Sequence, residues 1–189
     1  MPFLLGSGRT DRKGSRRVKR RMRMFQLFKK KAALEEPAVL ALAAVADGRC
    51  VPLEEVNDPV FAGKALGDGI AIVPEDCVIA APCDGTVSML AETLHAFGMT
   101  RDDGLELMVH IGIDTVALKG EGFEALAAQG AQVKKGDPLI RFDAAYMQEK
   151  GIDMTTMLIL LNPAQYQAKM LAGGQQVKKG VDTVIECSR

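Results

Sequence analysis

Histidine is nearly missing from this 189-residue chain: only His95 and His110 occur. Any imidazole chemistry must therefore draw on these two side chains. The four cysteines, Cys50, Cys77, Cys83 and Cys187, show no Cys-x-x-Cys spacing. This argues against a zinc ribbon or a disulfide framework and points to a reducing, cytoplasmic setting. No apolar run reaches the roughly 18 residues of a membrane-spanning helix, and Met1-Pro2-Phe3-Leu4-Leu5 is too short for the core of a secretion signal. Aromatic residues make up only 5% of the chain, and its body has no basic patch interleaved with them, so a nucleic-acid partner is not expected. No Ser/His/Asp or Cys/His constellation stands out. Gly67 and Gly69 fit neither a phosphate loop nor a dinucleotide fingerprint and read as a turn. No Met-Lys-Met or Asp-Lys-Ala turn offers a lysine for a lipoyl or biotinyl group.

What is present divides unevenly. Residues 1–31 hold twelve of the 24 basic residues against the single acid Asp11, leaving twelve basic and twenty-three acidic residues in the remainder. A basic arm thus precedes an acidic body. Residues 6–23 read as a disordered, self-repelling and solvated segment, and the stretch before Met24 reads also as sequence upstream of a start there. Residues 22–31 place Met24, Phe25, Leu27 and Phe28 among cations; such a segment suits weak contact with an anionic membrane surface, and equally a solvated arm. Residues 32–49 read as a linker or short helix, and residues 50–189 as one domain; the chain as a whole is 48% hydrophobic, ample for a core.

Within that domain short apolar segments recur: 50–53, 69–73, 77–80, 86–90, 105–111, 115–118 and 154–161. Turn signals such as Gly67-Asp68-Gly69, Asp84-Gly85 and Asp102-Asp103-Gly104 separate them. The rhythm predicts an all-β, mainly antiparallel sandwich or barrel. Short helices are expected at 121–129, 144–150 and 163–171, the last with Asn162 as N-cap. Val133-Lys134-Lys135-Gly136-Asp137 is echoed by Val177-Lys178-Lys179-Gly180, each a basic turn feeding a short strand, which suggests two related halves packed together.

His110 interrupts the apolar strand Leu105–Ile111 and is followed by Gly112 and Asp114. It reads either as a satisfied core side chain or as a reacting group. His95 lies fifteen positions upstream and would meet it if a hairpin folds the two segments together. A neutral imidazole is a ready nucleophile because its pKa near 6.5 leaves one ring nitrogen free at neutral pH. Phosphoryl transfer asks mainly for in-line positioning and charge balance, and a hydroxyl at Thr93 could fix the tautomer of His95. Two histidines do not complete a zinc site, and Asp114 lacks hydrolase-like spacing; zinc at an interface, with a partner supplying the missing donors, stays open.

Several motifs occurring in order carry a resemblance. They are Val60-Phe61-Ala62-Gly63-Lys64 with Gly67-Asp68-Gly69-Ile70-Ala71, Ala81-Pro82-Cys83-Asp84-Gly85, and Thr93-Leu94-His95-Ala96-Phe97-Gly98. Above all there is His110-Ile111-Gly112-Ile113-Asp114-Thr115-Val116 with Leu118-Lys119-Gly120-Glu121-Gly122-Phe123. Over residues 50 to 187 the chain resembles the glucose-family IIA component of the bacterial phosphoenolpyruvate-dependent sugar phosphotransferase system. The resemblance implies a phosphoryl carrier on a small β-sandwich with two related halves and no required cofactor. His110 would accept the phosphoryl group from the phosphorylated carrier HPr and pass it to a cysteine of the cognate IIB domain of the permease. His95 would assist and Thr93 would support it. A shallow partner-binding face would include Val60, Phe61, Leu66, Met108 and Val116, with Asp58 and Asp114 meeting the donor's basic side chains. Leu94 departs from the polar residue often found there. A second reading is a regulator whose phosphorylation state controls transporters or metabolic enzymes.

Overall fold

The computed structural model describes residues 39–188; the arm expected over residues 1–31, with its membrane contact at 22–31, and residues 32–38 lie outside them. In chain order the first seven strands are β1 (Leu40–Ala43), β2 (Gly48–Pro52), β3 (Asp68–Pro74), β4 (Val78–Ala80), β5 (Gly85–Leu90), β6 (Ala96–Thr100) and β7 (Glu106–Ile111). They are followed by β8 (Phe123–Ala125), β9 (Gln132–Val133), β10 (Pro138–Phe142), β11 (Thr156–Leu160), β12 (Gln167–Met170), β13 (Gln176–Val177) and β14 (Thr183–Ser188). Helix α1 spans Pro59–Ala62 and α2 spans Ala144–Lys150.

All strand pairs are antiparallel. An eight-stranded sheet runs β13-β2-β3-β11-β7-β6-β5-β9, and two three-stranded sheets run β1-β14-β12 and β4-β10-β8. The main core unites all three: Leu42, Ile72, Ile79, Phe97, Leu158, Ile140 and Ile185 are buried together. A second cluster, Val51, Leu53, Val56, Phe61, Ala71, Met157 and Ile159, covers the other face of the large sheet. This explains the unbroken apolar run Met157-Leu158-Ile159-Leu160. Alternate side chains of β11 point to opposite faces, and each face has its own core.

Of the three expected helices, 144–150 forms. Asp143 caps it by accepting from the backbone N–H of Ala145 and Tyr146, and Gly151 ends it at φ +66°. The other two give way to sheet. Residues 121–129 contain β8, held on β10 by Phe123 opposite Phe142. Residues 163–171 form a 3-10 turn at Pro163–Gln165 and then β12 on β14. Asn162 caps no helix. Its side chain instead accepts from Glu106 N–H and donates to the Gly104 carbonyl, tying two loops together. Conversely 115–118, read as strand, is a 3-10 turn.

The described part of the expected linker, 39–49, belongs to the domain. Leu40–Ala43 pairs with β14, and Leu42, Ala44 and Val45 are fully buried. Its alanines favour helix locally, but pairing along a sheet edge and burial outweigh that preference.

The echoed turns are structural counterparts. Lys135 N–H donates to Asp84 and Lys179 N–H to Asp47; Lys134 and Lys178 N–H donate to Asp137 and Asp182. Gly136 N–H reaches the Ala81 carbonyl and Gly180 N–H the Ala44 carbonyl. The halves meet at the two glycines: a Cβ on Gly180 would lie 2.7 Å from the Gly136 Cα.

Candidate functional site

The hairpin that joins the two histidines forms. Strand β7 sends Leu107, Val109 and Ile111 into the main core, so Met108 and His110 face the opposite side. Ala96 of β6 stands opposite His110, and Ile111 N–H donates to the His95 carbonyl at 2.7 Å. The two imidazoles meet edge to face, with ring centroids 5.1 Å apart and planes at 72°. Phe61 also packs on His110, centroid to centroid at 4.9 Å.

The two Nδ1 atoms have different surroundings. The Thr93 hydroxyl lies 2.6 Å from Nδ1 of His95, as the sequence suggested. Nδ1 of His110 is shut off from solvent and closes no hydrogen bond of good geometry. The Gly112 backbone nevertheless lies near enough to the ring to favour its protonated form. In a half-buried ring this leaves Nε2 for an incoming group. Burial pushes the pKa of both imidazoles below its ordinary value. For His110 the neighbouring His95 adds to that effect, and the Gly112 carbonyl, Asp58 and Asp114 oppose it. Both rings are therefore neutral at pH 7, the form in which one nitrogen keeps a lone pair.

Apolar side chains rim the pair. Val60, Leu66 and Val116 are 45%, 45% and 53% exposed. Met108 is half-buried. Phe61, expected on the partner-binding face, is buried on α1 within the second core cluster. Asp58 caps that helix, accepting from Val60 N–H at 2.7 Å and Phe61 N–H at 3.4 Å, so its carboxylate both holds the rim and adds negative charge near His110. Asp114 is exposed in the left-handed region at φ +56°.

The turn behind His110 was not legible as machinery. Gly112 takes φ +73°, and a Cβ there would meet the Thr115 methyl at 2.6 Å and the Asp153 carbonyl at 3.1 Å. Thr115 is fully buried and donates to the Ile111 carbonyl at 2.5 Å. A lone threonine among Asp114, Val116 and Leu118 looks like strand sequence, so only its burial marks it.

Among the described residues no three His, Cys, Asp or Glu side chains converge as a metal site. The histidine pair offers two donors, too few for a closed zinc site. Nor is any described helix long and apolar enough to cross a membrane.

Comparison with known proteins agrees with this geometry. The sequence model for "phosphoenolpyruvate-dependent sugar phosphotransferase system, EIIA 1" matches residues 40–166. A beta-glucoside-specific EIIBCA component from Halalkalibacterium halodurans is 44% identical over 143 residues; the match covers 76% of this chain but only 22% of that longer protein. The glucose-specific EIIA component of Staphylococcus epidermidis is 41% identical over 139 residues, 74% of this chain and 84% of that one. Among solved structures, glucose permease IIA from Mycoplasma capricolum superposes with a TM-score of 0.73 at 35% identity, over 78% of this chain and 95% of that one. A β-sandwich whose paired, neutral histidines lie in an apolar rim thus stands in a known line, and the chain belongs to the EIIA 1 family of the phosphoenolpyruvate-dependent sugar phosphotransferase system.

Proposed function

We propose that His110 Nε2 is the phosphoryl acceptor of this chain, taking the group from phosphorylated HPr and handing it to a cysteine of a IIB domain. The carrying observation is the histidine pair itself: two neutral rings 5.1 Å apart, one with Nδ1 buried and the other with Nδ1 on a hydroxyl.

A lone pair on His110 Nε2 requires the hydrogen on Nδ1, and in this reading the carbonyl of nearby Gly112 accepts it. Attack on phosphorus forms the Nε2–P bond as the donor's N–P bond breaks, and the displaced electron pair stays on the donor ring. The phosphorylated His110 ring gains positive character, which the same carbonyl stabilises. His95 complements this when its Nδ1 accepts from Thr93. Its Nε2–H is then a donor for an equatorial phosphoryl oxygen, balancing charge without itself reacting. In the second step the partner's thiolate attacks phosphorus, an S–P bond replaces the Nε2–P bond, and His110 recovers its lone pair.

The rim suits short-lived docking. Exposed Val60, Leu66 and Val116 supply apolar area, while Asp58 and Asp114 attract a basic donor. The same face could seat regulated transporters or enzymes, and a zinc ion there would need further donors from the partner. The two names EIIBCA and EIIA among the relatives support a IIB/IIC permease as the downstream partner and cytoplasmic action at the membrane's inner face. Incubation with phosphoenolpyruvate, enzyme I and HPr should give acid-labile label on the wild-type chain and none on folded His110→Ala; label on that variant removes His110 as acceptor.

A further inference from the structure

We propose that Thr115 is a positioning residue for phosphoryl transfer: its hydroxyl, through the carbonyls of Ile111 and Gly112, sets the spacing and the tautomers of the histidine pair. The inference rests on the acceptor role of His110 proposed above.

Thr115 is fully buried. A buried hydroxyl is costly unless bonded, and Val would fill the same volume without that cost. Here the hydroxyl donates to Ile111 O at 2.5 Å and stands 3.5 Å from Gly112 O. Ile111 is the link between the histidines: it follows His110 in β7, and its N–H binds the His95 carbonyl at 2.7 Å. One residue is thus tied to His95 by its N–H and to Thr115 by its C=O. Gly112, whose backbone favours the protonated form of the His110 ring, lies inside the same turn.

The turn holds a conformation that its residues would not choose. Gly112 and Asp114 are at φ +73° and +56°, and Lys119 closes the 3-10 turn at φ +53°. Left-handed backbone at residues other than glycine persists only where the surroundings impose it. They do so from two sides. The Ile113 N–H donates to Asp153 O at 2.7 Å, and Asp153 is itself fixed by Thr155, whose N–H and hydroxyl donate to its carboxylate. Thr115 supplies the other side, with its methyl against Gly112. Removing the hydroxyl frees the Ile111 and Gly112 carbonyls to rotate while the Asp153 clamp keeps the turn folded. The effect should therefore fall on the imidazoles.

The test compares Thr115→Val with Thr115→Ser, using phospho-HPr as donor. Thr115→Val should lower the kcat of phosphoryl acceptance by about tenfold or more, the scale that misplacement of reacting groups carries, with KM almost unchanged. ¹⁵N spectra of the unphosphorylated protein should show His110 losing its preference for the Nδ1–H tautomer. Thr115→Ser, which keeps the hydroxyl, should restore both rate and tautomer. Wild-type rate and spectrum in Thr115→Val overturn the proposal, as do equal losses in both variants, since Thr115→Ser would then fail with its hydroxyl kept. Should Thr115→Val not fold, Thr115→Ser decides with the wild type. Its rate and ring spectra must match wild type, and a wild-type His110 with its hydrogen on Nε2 overturns the proposal. Failure of the acceptor role itself looks different: the wild-type chain would then take no label at His110.

Discussion

The histidine face and the echoed lysine turns solve the same backbone problem in opposite ways. Each turn needs a residue in the left-handed region, and at the lysine turns that residue is glycine: Gly136 at φ +88° and Gly180 at +66°. Around the histidines glycine serves as well, as at Gly112, but the left-handed region is also taken by Lys64, Leu94, Asp114 and Lys119. These four are the non-glycine residues with positive φ among the described residues, and all sit in segments that frame the reacting pair. Lys64 follows the helix carrying Val60 and Phe61. Leu94 separates Thr93 from His95, and Asp114 and Lys119 bracket the turn behind His110. Such a residue costs roughly 1–2 kcal/mol relative to the right-handed form. One region is thus relaxed and saturated with backbone-to-carboxylate bonds, whereas the other carries strain where side chains must be aimed. Strain concentrated at a reacting site is what pre-organisation looks like in a backbone.

The sharpest contrast is between activity and stability. On the histidine face His95→Gln should slow phosphoryl transfer to the IIB cysteine by about 100- to 10,000-fold, the range of a positioned acid or base, while the melting temperature stays nearly constant. A transfer rate like wild type would take His95 out of the mechanism. At the lysine turns the expectation inverts. Gly180→Val puts a branched side chain at φ +66° against the Gly136 backbone, a combination of left-handed strain and overpacking worth about 3 kcal/mol. Thermal melts should fall by about 6–12 °C for that loss in a chain of this length, with labelling of the remaining folded protein unchanged. An undisturbed melt would mean that the two halves do not depend on this contact.

A smaller pair of substitutions exchanges the two strategies. Lys119→Gly places glycine at φ +53° on an exposed position and should stabilise by about 0.5–1 kcal/mol; Gly136→Ala, at φ +88°, should destabilise by about 1 kcal/mol or slightly more. Chemical denaturation measures both. If Lys119→Gly destabilises, the histidine face is not strained in the sense argued here.

This difference in strain also governs what the sequence could reveal. The reacting pair was legible because its signals are local and chemical: His110 in an apolar strand, His95 and Thr93 two positions apart, and glycine-marked motifs in a fixed order. The strands facing two cores were legible as apolar runs. Strand β1 was not, because Leu40-Ala41-Leu42-Ala43 shows no alternation of apolar with polar residues and becomes strand by pairing with β14. Strand β12 escaped for a related reason: Pro163 after Asn162 is a good helix start, yet Gln167–Met170 is claimed by the exposed edge of the same β14. Leu94 and Lys119 give no sign of left-handed backbone in their side chains, and Thr115 gives none of burial. These properties belong to the tertiary frame around them.

pH separates the two regions at the smallest scale. Burial lowers the pKa of His110 and His95, so in the fold they resist protons that the unfolded chain binds at about pH 6.5. As pH falls from that value toward the lower native midpoints, the unfolded state takes up more protons and stability drops; above it this contribution is fully present. The lysine turns respond later. Lys135 N–H and the Lys134 amine hold the Asp84 carboxyl below its ordinary pKa. Its contribution is present above the unfolded value of about 3.9 and is lost as pH falls through the lower native one. Melting temperatures from pH 8 downward should therefore decline first below about 6.5, and His95→Gln should soften that first decline because one of the two depressed imidazoles is gone. Histidine ring-proton shifts should titrate with midpoints below about 6.5 over the same window, and phosphoryl acceptance should fall with them as Nε2 loses its lone pair. A histidine midpoint above that value would reverse the sign. It would mean that the charged imidazole, rather than the neutral one, is the form this face is built to hold.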